Sequence, residues 1–345
     1  MKINYNLDFS QNLNAFGCPP KIINLLKKEI EKINSYPDKD FNPGIGPIAE
    51  HFHISPEEIA LGNGTSEIIF NLPRLLPKGR VVILAPTFWE YKAANKRESA
   101  NVIEKYYLTE PNSFDLNFQD FEQKIKDAKT VFICNPNNPT STILDRKKLL
   151  DLISANPNVN FVVDETYLIF RSDYNTLTLV PEAAKLENLY VLLSLSKFFC
   201  IPGLRIGFLF SSQFNIQKYL KVAIPYTTNR LVQSVLPHIF TIKTFVSKSH
   251  QYYEKSRVQL VQKINKLFNG KLMAFPAQTS FILVKILDQN LTNTIIDSLL
   301  EYGIKVRSGT EFDGLGKEWM RVNIKNYKDN RILINTLEEI IYESH

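Results

Sequence analysis

Along the middle of the chain, short unbroken apolar runs alternate with stretches whose apolar positions recur every three or four residues. Residues 81–84, 131–134, 161–163, 190–193 and 207–210 are continuous hydrophobic runs. Runs this short, with no polar alternation, suit strands covered on both faces, as in a largely parallel sheet. Between them, residues 66–76, 145–155 and 181–186 carry helical spacing. The alternation predicts an α/β layer architecture. From about Asn229 the pattern changes. A helical stretch runs to about Phe268, interrupted near Pro237, whose missing N–H breaks a helix. A strand at 281–286, a helix around 292–302 and a strand at 320–324 follow. A last amphipathic helix uses Ile332, Leu333, Leu337, Ile340 and Ile341. This half predicts a second, smaller α+β domain. The first ~30 residues are too few for a core of their own and are expected to pack onto it.

Composition narrows the class. Of 345 residues, 44% are hydrophobic and 22% charged, which excludes a disordered chain, a collagen and a coiled coil. No apolar run approaches the ~18 residues of a membrane span. The opening Met1-Lys2-Ile3-Asn4-Tyr5-Asn6 has no apolar block, so no secretory leader is expected. Cys18, Cys134 and Cys200 form no CxxC pair, which argues against a disulfide framework or a zinc site and for a reduced, cytoplasmic protein without a metal. The formal net charge of +6 favours anionic partners. The lysines are scattered, with no zinc-finger or RNA-binding aromatic pattern, so small phosphorylated molecules are favoured over nucleic acid.

Five short segments carry chemistry. Ser194-Leu195-Ser196-Lys197 follows the run 190–193, with Pro202-Gly203-Leu204-Arg205 close behind. A lysine at the carboxyl end of a buried strand points into the crevice where α/β sheets bind ligands. Partly desolvated, it has a lowered pKa and can form a Schiff base with an aldehyde, while Arg205 and the serine hydroxyls could hold a phosphate. Asp164, ending another strand, could pair with a cationic ring nitrogen or simply cap a turn, and Tyr167 lies three residues on. Asn135-Pro136-Asn137-Asn138-Pro139-Thr140-Ser141 reads as a turn whose amides could donate to a ligand oxygen. Gly62-Asn63-Gly64-Thr65-Ser66-Glu67 opens a helix and could offer its N–H groups to a phosphate, without the spacing of a Walker or Rossmann loop. Pro86-Thr87-Phe88-Trp89-Glu90-Tyr91 offers an aromatic that could stack on a flat ring or fill the core.

One flat, phosphorylated, aldehyde-bearing cofactor would use all five. The set resembles the pyridoxal-phosphate enzymes of the aspartate aminotransferase fold (fold type I), over essentially the whole chain. Within them it is most similar to the threonine-phosphate decarboxylases of the cobalamin pathway, through Leu7-Asp8-Phe9-Ser10-Gln11-Asn12-Leu13-Asn14, Tyr36-Pro37-Asp38, the Gly-Asn-Gly turn and the segment from Leu195 to Arg205. Histidinol-phosphate aminotransferases are near relatives that share the Asn-Asn-Pro-Thr and lysine motifs.

The resemblance implies a large cofactor-binding domain over 36–224, with a mostly parallel sheet flanked by helices, and a smaller α+β domain from 1–35 and 225–345. It implies pyridoxal 5'-phosphate as cofactor. Lys197 matches the lysine that holds it covalently, Asp164 the carboxylate on the ring nitrogen, and Asn138 and Tyr167 the donors to the ring's phenolic oxygen. Phe88 matches the stacking aromatic. Gly64, Thr65, Ser194, Ser196 and Arg205 match the phosphate cradle. Tyr36 matches a tyrosine that reaches the phosphate of a neighbouring subunit, which implies a homodimer. Arg321 matches a substrate-anion arginine, Arg307 a second arginine of the phosphate-substrate members, and Asn12 lies on the segment that lines the substrate pocket. Ser141 stands where the family motif ends in glycine. The implied activity is decarboxylation of a phosphorylated hydroxy-amino acid, with transamination of a histidinol-phosphate-type amine as the alternative.

Overall fold

The computed structural model describes residues 6–38, 44–108 and 114–343. The opening residues read above for a leader, 1–5, lie outside them.

The centre is a seven-stranded sheet. In spatial order its strands are Ile59–Asn63, Ile206–Phe210, Leu189–Leu193, Asn160–Asp164, Thr130–Cys134, Arg80–Ala85 and Val102–Tyr107. Ile206–Phe210 pairs antiparallel with both neighbours, and the other pairings are parallel. All five strands expected from the apolar runs are present, each within a residue or two of its expected ends. The reason for their unbroken hydrophobicity is visible in the packing. Val131, Ile133, Phe161, Val163, Val191 and Phe208 face one apolar cluster, while Phe132, Val162, Leu192 and Leu209 face another on the opposite side. Each fully buried aliphatic contributes about 1.5–3 kcal/mol relative to exposure, so neither face tolerates a polar alternate.

Helices cover both faces. Arg146–Ala155 starts where the Asp145 carboxylate accepts the Lys148 N–H at 2.8 Å, a side-chain cap. Thr65–Leu75 starts without one. Its entry is set by Gly64, which sits at φ 78°. The helix expected over 181–186 is a single turn, Val180–Ala183. The long helical stretch divides into Arg230–Val235, a 3₁₀ segment Leu236–Thr241 containing Pro237, and Lys243–Leu267.

A second, four-stranded sheet has the order Arg307–Ser308, Trp319–Asn323, Phe281–Ile286, Leu272–Ala274, antiparallel throughout. The N-terminal segment joins this part of the molecule. Leu7–Asp8 pairs in parallel with Ile304–Lys305, Phe9 is fully buried, and its carbonyl accepts the Asn323 N–H at 2.9 Å. Ser141 takes φ 59°, the left-handed region its glycine counterpart would enter freely. Its hydroxyl accepts the N–H groups of Gln278 and Thr279, tying the turn to the strand that begins at Phe281. Among the described residues, no helix is long and apolar enough to cross a membrane.

Candidate active site

The carboxyl ends of the parallel strands open into a cavity of about 310 Å³. It lies where doubly wound sheets bind ligands. Thirteen of the expected site residues line it: Asn12, Gly64, Thr65, Phe88, Asn138, Asp164, Tyr167, Ser194, Ser196, Lys197, Arg205, Arg307 and Arg321. Tyr36 does not. It lies on the surface, 84% exposed, with its ring 5.7 Å from that of Tyr226.

Asp164 forms the floor. One carboxylate oxygen accepts the Tyr91 hydroxyl at 2.8 Å and the other accepts the Thr166 N–H at 2.9 Å. Burial raises its pKa, and these two hydrogen bonds oppose the rise. One oxygen caps the turn, and the side chain also borders the cavity. Lys197 borders the same space from the loop after Leu189–Leu193. Burial lowers its pKa, reinforced by Arg321, Arg205 and Arg307, which favours the neutral, nucleophilic amine.

A glycine-lined helix start lies beside it. Thr65 and Ser66 open a helix, so their N–H groups have no partner within it. Arg205 approaches so closely that a Cβ on Gly64 would stand 2.3 Å from Nη2, and one on Gly207 would stand 2.3 Å from the Thr65 nitrogen. Glycine at both positions lets the guanidinium and the helix end converge. Ser194 and Ser196 hydroxyls lie 2.7 Å apart, and Ser194 donates to the Ile206 carbonyl at 3.1 Å.

Across the cavity, Asn12 Nδ2 donates to the Tyr167 hydroxyl at 3.1 Å. Burial pushes the Tyr167 phenol up to about 12, against the pull of Arg321 and Asn12. Arg321 donates to Asn138 Oδ1 and to the Ser10 carbonyl. With its oxygen so engaged, Asn138 still has amide N–H groups that can donate to a ligand. Arg321 is buried, which brings its pKa down to about 10. Arg307 stands opposite it in register on the neighbouring strand, partly exposed, and donates to Glu311 at 2.6 Å.

Among the described residues that line the cavity, four carry a buried side-chain atom with no hydrogen-bond partner: Asn12 Oδ1, Glu90 Oε2, Thr166 Oγ1 and Arg321 Nε. A buried polar atom left unmade costs about 1–3 kcal/mol, so the protein alone does not satisfy the polar groups around the cavity. A lysine, a buried carboxylate, an aromatic wall in Phe88 and a glycine-lined anion cradle fit a phosphorylated pyridine aldehyde. Tyr91 and Glu90 were not singled out by the sequence reading. They sit in the Phe-Trp-Glu-Tyr segment, but the acceptor of Tyr91 is 73 residues away.

The comparisons with known proteins agree. The family described as "Aminotransferase class I and II" matches residues 5–337. The chain belongs to this family, and its cofactor is pyridoxal 5'-phosphate. It is 30% identical to the adenosylcobalamin biosynthesis bifunctional protein CobDQ of Leptospira interrogans over 97% of this chain, and spans 39% of that longer protein. It is 30% identical to a Caldanaerobacter subterraneus protein provisionally named a threonine-phosphate decarboxylase, covering 96% of this chain and 89% of that one. A histidinol-phosphate aminotransferase of the same organism is 32% identical, covering 98% and 93%. Among solved structures, the histidinol-phosphate aminotransferase of Clostridium acetobutylicum superposes with a TM-score of 0.89 at 25% identity, covering 97% and 98% of the two chains. The L-threonine-O-3-phosphate decarboxylase of Porphyromonas gingivalis gives 0.84 at 22% identity, covering 97% and 99%, a likeness of fold.

Proposed function

We propose that the protein is a pyridoxal-phosphate-dependent decarboxylase of a phosphorylated hydroxy-amino acid, O-phospho-L-threonine or O-phospho-L-serine. The products are carbon dioxide and the matching amino-alcohol phosphate, a linker unit for the cobalamin nucleotide loop. The carrying observation is the arginine pair. Arg321, with its buried Nε unpartnered, and Arg307, on the adjacent strand, line one cavity with Lys197. Two guanidiniums match a small substrate with two anionic ends, a carboxylate and a phosphate.

The roles follow the family resemblance, and the shared cavity supports them. Gly64, Thr65, Ser194, Ser196 and Arg205 would hold the cofactor phosphate. Phe88 would cover the ring, Asn138 and Tyr167 would donate to the phenolic oxygen, and Lys197 would be the attachment point. When bound, the cofactor supplies an electron sink conjugated to the substrate Cα. Asp164 keeps the proton on the ring nitrogen, and Tyr91 and Thr166 keep Asp164 aimed. Which bond at Cα breaks would depend on how the pocket orients the substrate. Arg321, Arg307 and Asn12 would set that orientation by fixing the substrate's anions, and thereby the rotation about N–Cα. In the decarboxylase reading the carboxylate would be the group oriented for loss as carbon dioxide, and the Lys197 ammonium would return a proton to Cα. The two-domain division at 36 and 224, and a homodimer in which Tyr36 reaches the neighbouring cofactor's phosphate, belong to the same proposal. The exposure of Tyr36 fits that role.

A second reading is a histidinol-phosphate-type aminotransferase, supported by the 32% identity to such an enzyme. There Arg321 would hold the carboxylate of an oxo-acid acceptor, and the Cα–H bond would break. Incubation with O-phospho-threonine, O-phospho-serine and histidinol phosphate, with and without 2-oxoglutarate, separates the two. Carbon dioxide release that needs no oxo acid is the expected result. Glutamate formation without carbon dioxide would transfer the assignment to the aminotransferase.

A further inference from the structure

Besides Asp164, Glu90 is the other acid among the residues lining the cavity. It begins the helix Glu90–Lys96. Its Oε1 accepts the Ser66 hydroxyl at 3.0 Å, and its Oε2 is buried with no partner. Ser66 lies in the helix end that forms the phosphate cradle. The charged groups facing Glu90 come from three other elements. Arg205 and Lys197 favour its ionised form, and Asp164 opposes it. Glu67, one residue beyond Ser66, is already engaged by the Asn63 N–H at 2.6 Å. Burial is the largest influence and raises the Glu90 pKa.

Ser66 has one hydroxyl hydrogen. While the cradle is free, Glu90 takes it. A phosphate dianion in the cradle competes for that hydrogen and also draws on Arg205, the stronger of the two cations that favour ionised Glu90. Ionised Glu90 would then face a lone pair of Ser66 and a like charge beyond it. Both are relieved by one proton on Glu90, which turns it from acceptor into donor. We propose that Glu90 is a proton acceptor built into the cradle: binding of the cofactor phosphate is coupled to uptake of a proton by Glu90, which then donates to Ser66 as Ser66 donates to the phosphate. The proton comes from solvent, and only an O–H bond forms. The inference rests on the pyridoxal-phosphate reading of the site. It gives Glu90 a role that none of the cradle residues read from the sequence has.

The sign is fixed by linkage. A group whose pKa is higher in the bound form than in the free form takes up a proton on binding between those two pKa values. Affinity therefore falls as pH rises through that window, by up to about tenfold per pH unit. The test uses 4'-deoxypyridoxine 5'-phosphate, which has no aldehyde and forms no bond to Lys197. It is titrated calorimetrically into the apoenzyme, in buffers of differing ionisation heat, over a pH series that runs from the ordinary carboxylate range to above neutrality. Somewhere in that series the wild type should take up more protons than Glu90→Gln, and its affinity should there fall more steeply with pH. Glu67→Gln should behave as wild type. A check that needs no variant is the phosphate-free analogue 4'-deoxypyridoxine, which should give no such uptake. Equal proton counts for wild type and Glu90→Gln, or for the two analogues on wild type, would overturn the proposal while leaving the cofactor assignment standing. If the wild type binds neither analogue, the reading beneath it falls and the proposal with it.

Discussion

At the floor of the cavity, Asp164 ends a strand buried along four of its five residues, and both its oxygens are taken by protein donors. At the rim, Arg307 sits on a two-residue strand, 37% of its side chain exposed, with the surface residue Glu311 as its recorded partner. The floor is assembled before any ligand arrives. The rim holds its cation on a contact that a substrate anion can replace. Between them stands Arg321, buried like the floor, yet with one donor still unmade. The difference separates two jobs. In the proposed function, the groups assigned to the cofactor are locked by the large sheet, whereas the arginines assigned to the substrate are carried by the small sheet and keep spare capacity.

This contrast can be broken by substitution. Lys197→Ala should have the largest effect, a loss of at least about 10²–10⁴-fold in turnover. Borohydride reduction and peptide mapping of the wild type should mark Lys197, and a label on another lysine would overturn its role. Arg321→Ala should come next. Removing one partner from a buried charged contact costs about 2–5 kcal/mol, so kcat/KM should fall at least tens-fold while the cofactor absorbance persists. Arg307→Ala, more exposed, should act in the same way and less. Unchanged kinetics in both would remove the arginines from the site. Tyr91→Phe tests the floor. A hydrogen bond to a charged group contributes about 1.5–3 kcal/mol, so turnover should drop about tenfold or more, equally for every substrate. A shift in substrate ratio would instead show that floor and rim are not separate. The smallest effect is expected between O-phospho-serine and O-phospho-threonine. They differ by one methyl, which is worth about 10–200-fold. A ratio of kcat/KM beyond roughly a thousand-fold would exceed what that contact supplies.

The floor was legible because its chemistry sits at the ends of strands that announce themselves. Lys197, Asp164, Asn138 and Arg205 each follow an apolar run or a tight glycine-proline turn, so local pattern places them near one crevice. The edge strand Val102–Tyr107 was not legible. Its residues Val-Ile-Glu-Lys-Tyr-Tyr alternate in exposure and read as neither buried strand nor helix. Ile59–Asn63 was missed because its Gly62-Asn63 end reads as the start of a turn. Glu90 and Tyr91 were hidden for a different reason. Their partners, Ser66 and Asp164, are brought to them only by the sheet, 24 residues back and 73 residues on. The aromatic context of the segment reads as core, and Tyr91 is indeed packed there, with its hydroxyl bonded to Asp164.

The pairing of Leu7–Asp8 with Ile304–Lys305 has a consequence for how the protein is made. Synthesis proceeds from the N-terminus at about 5–20 residues per second. The first of these strands leaves the ribosome roughly 15 to 60 s before the second exists. The stretch from Gly62 to Gly207, which holds the cradle, the lysine and the aspartate, is complete well before Arg307 and Arg321 have been translated. The Ser10 carbonyl must wait for Arg321, encoded near the other end of the message. A nascent chain therefore gains the lysine, the aspartate and the glycine-lined helix start first and the two cavity arginines last, so a ribosome stalled late would carry the cavity without Arg307 and Arg321.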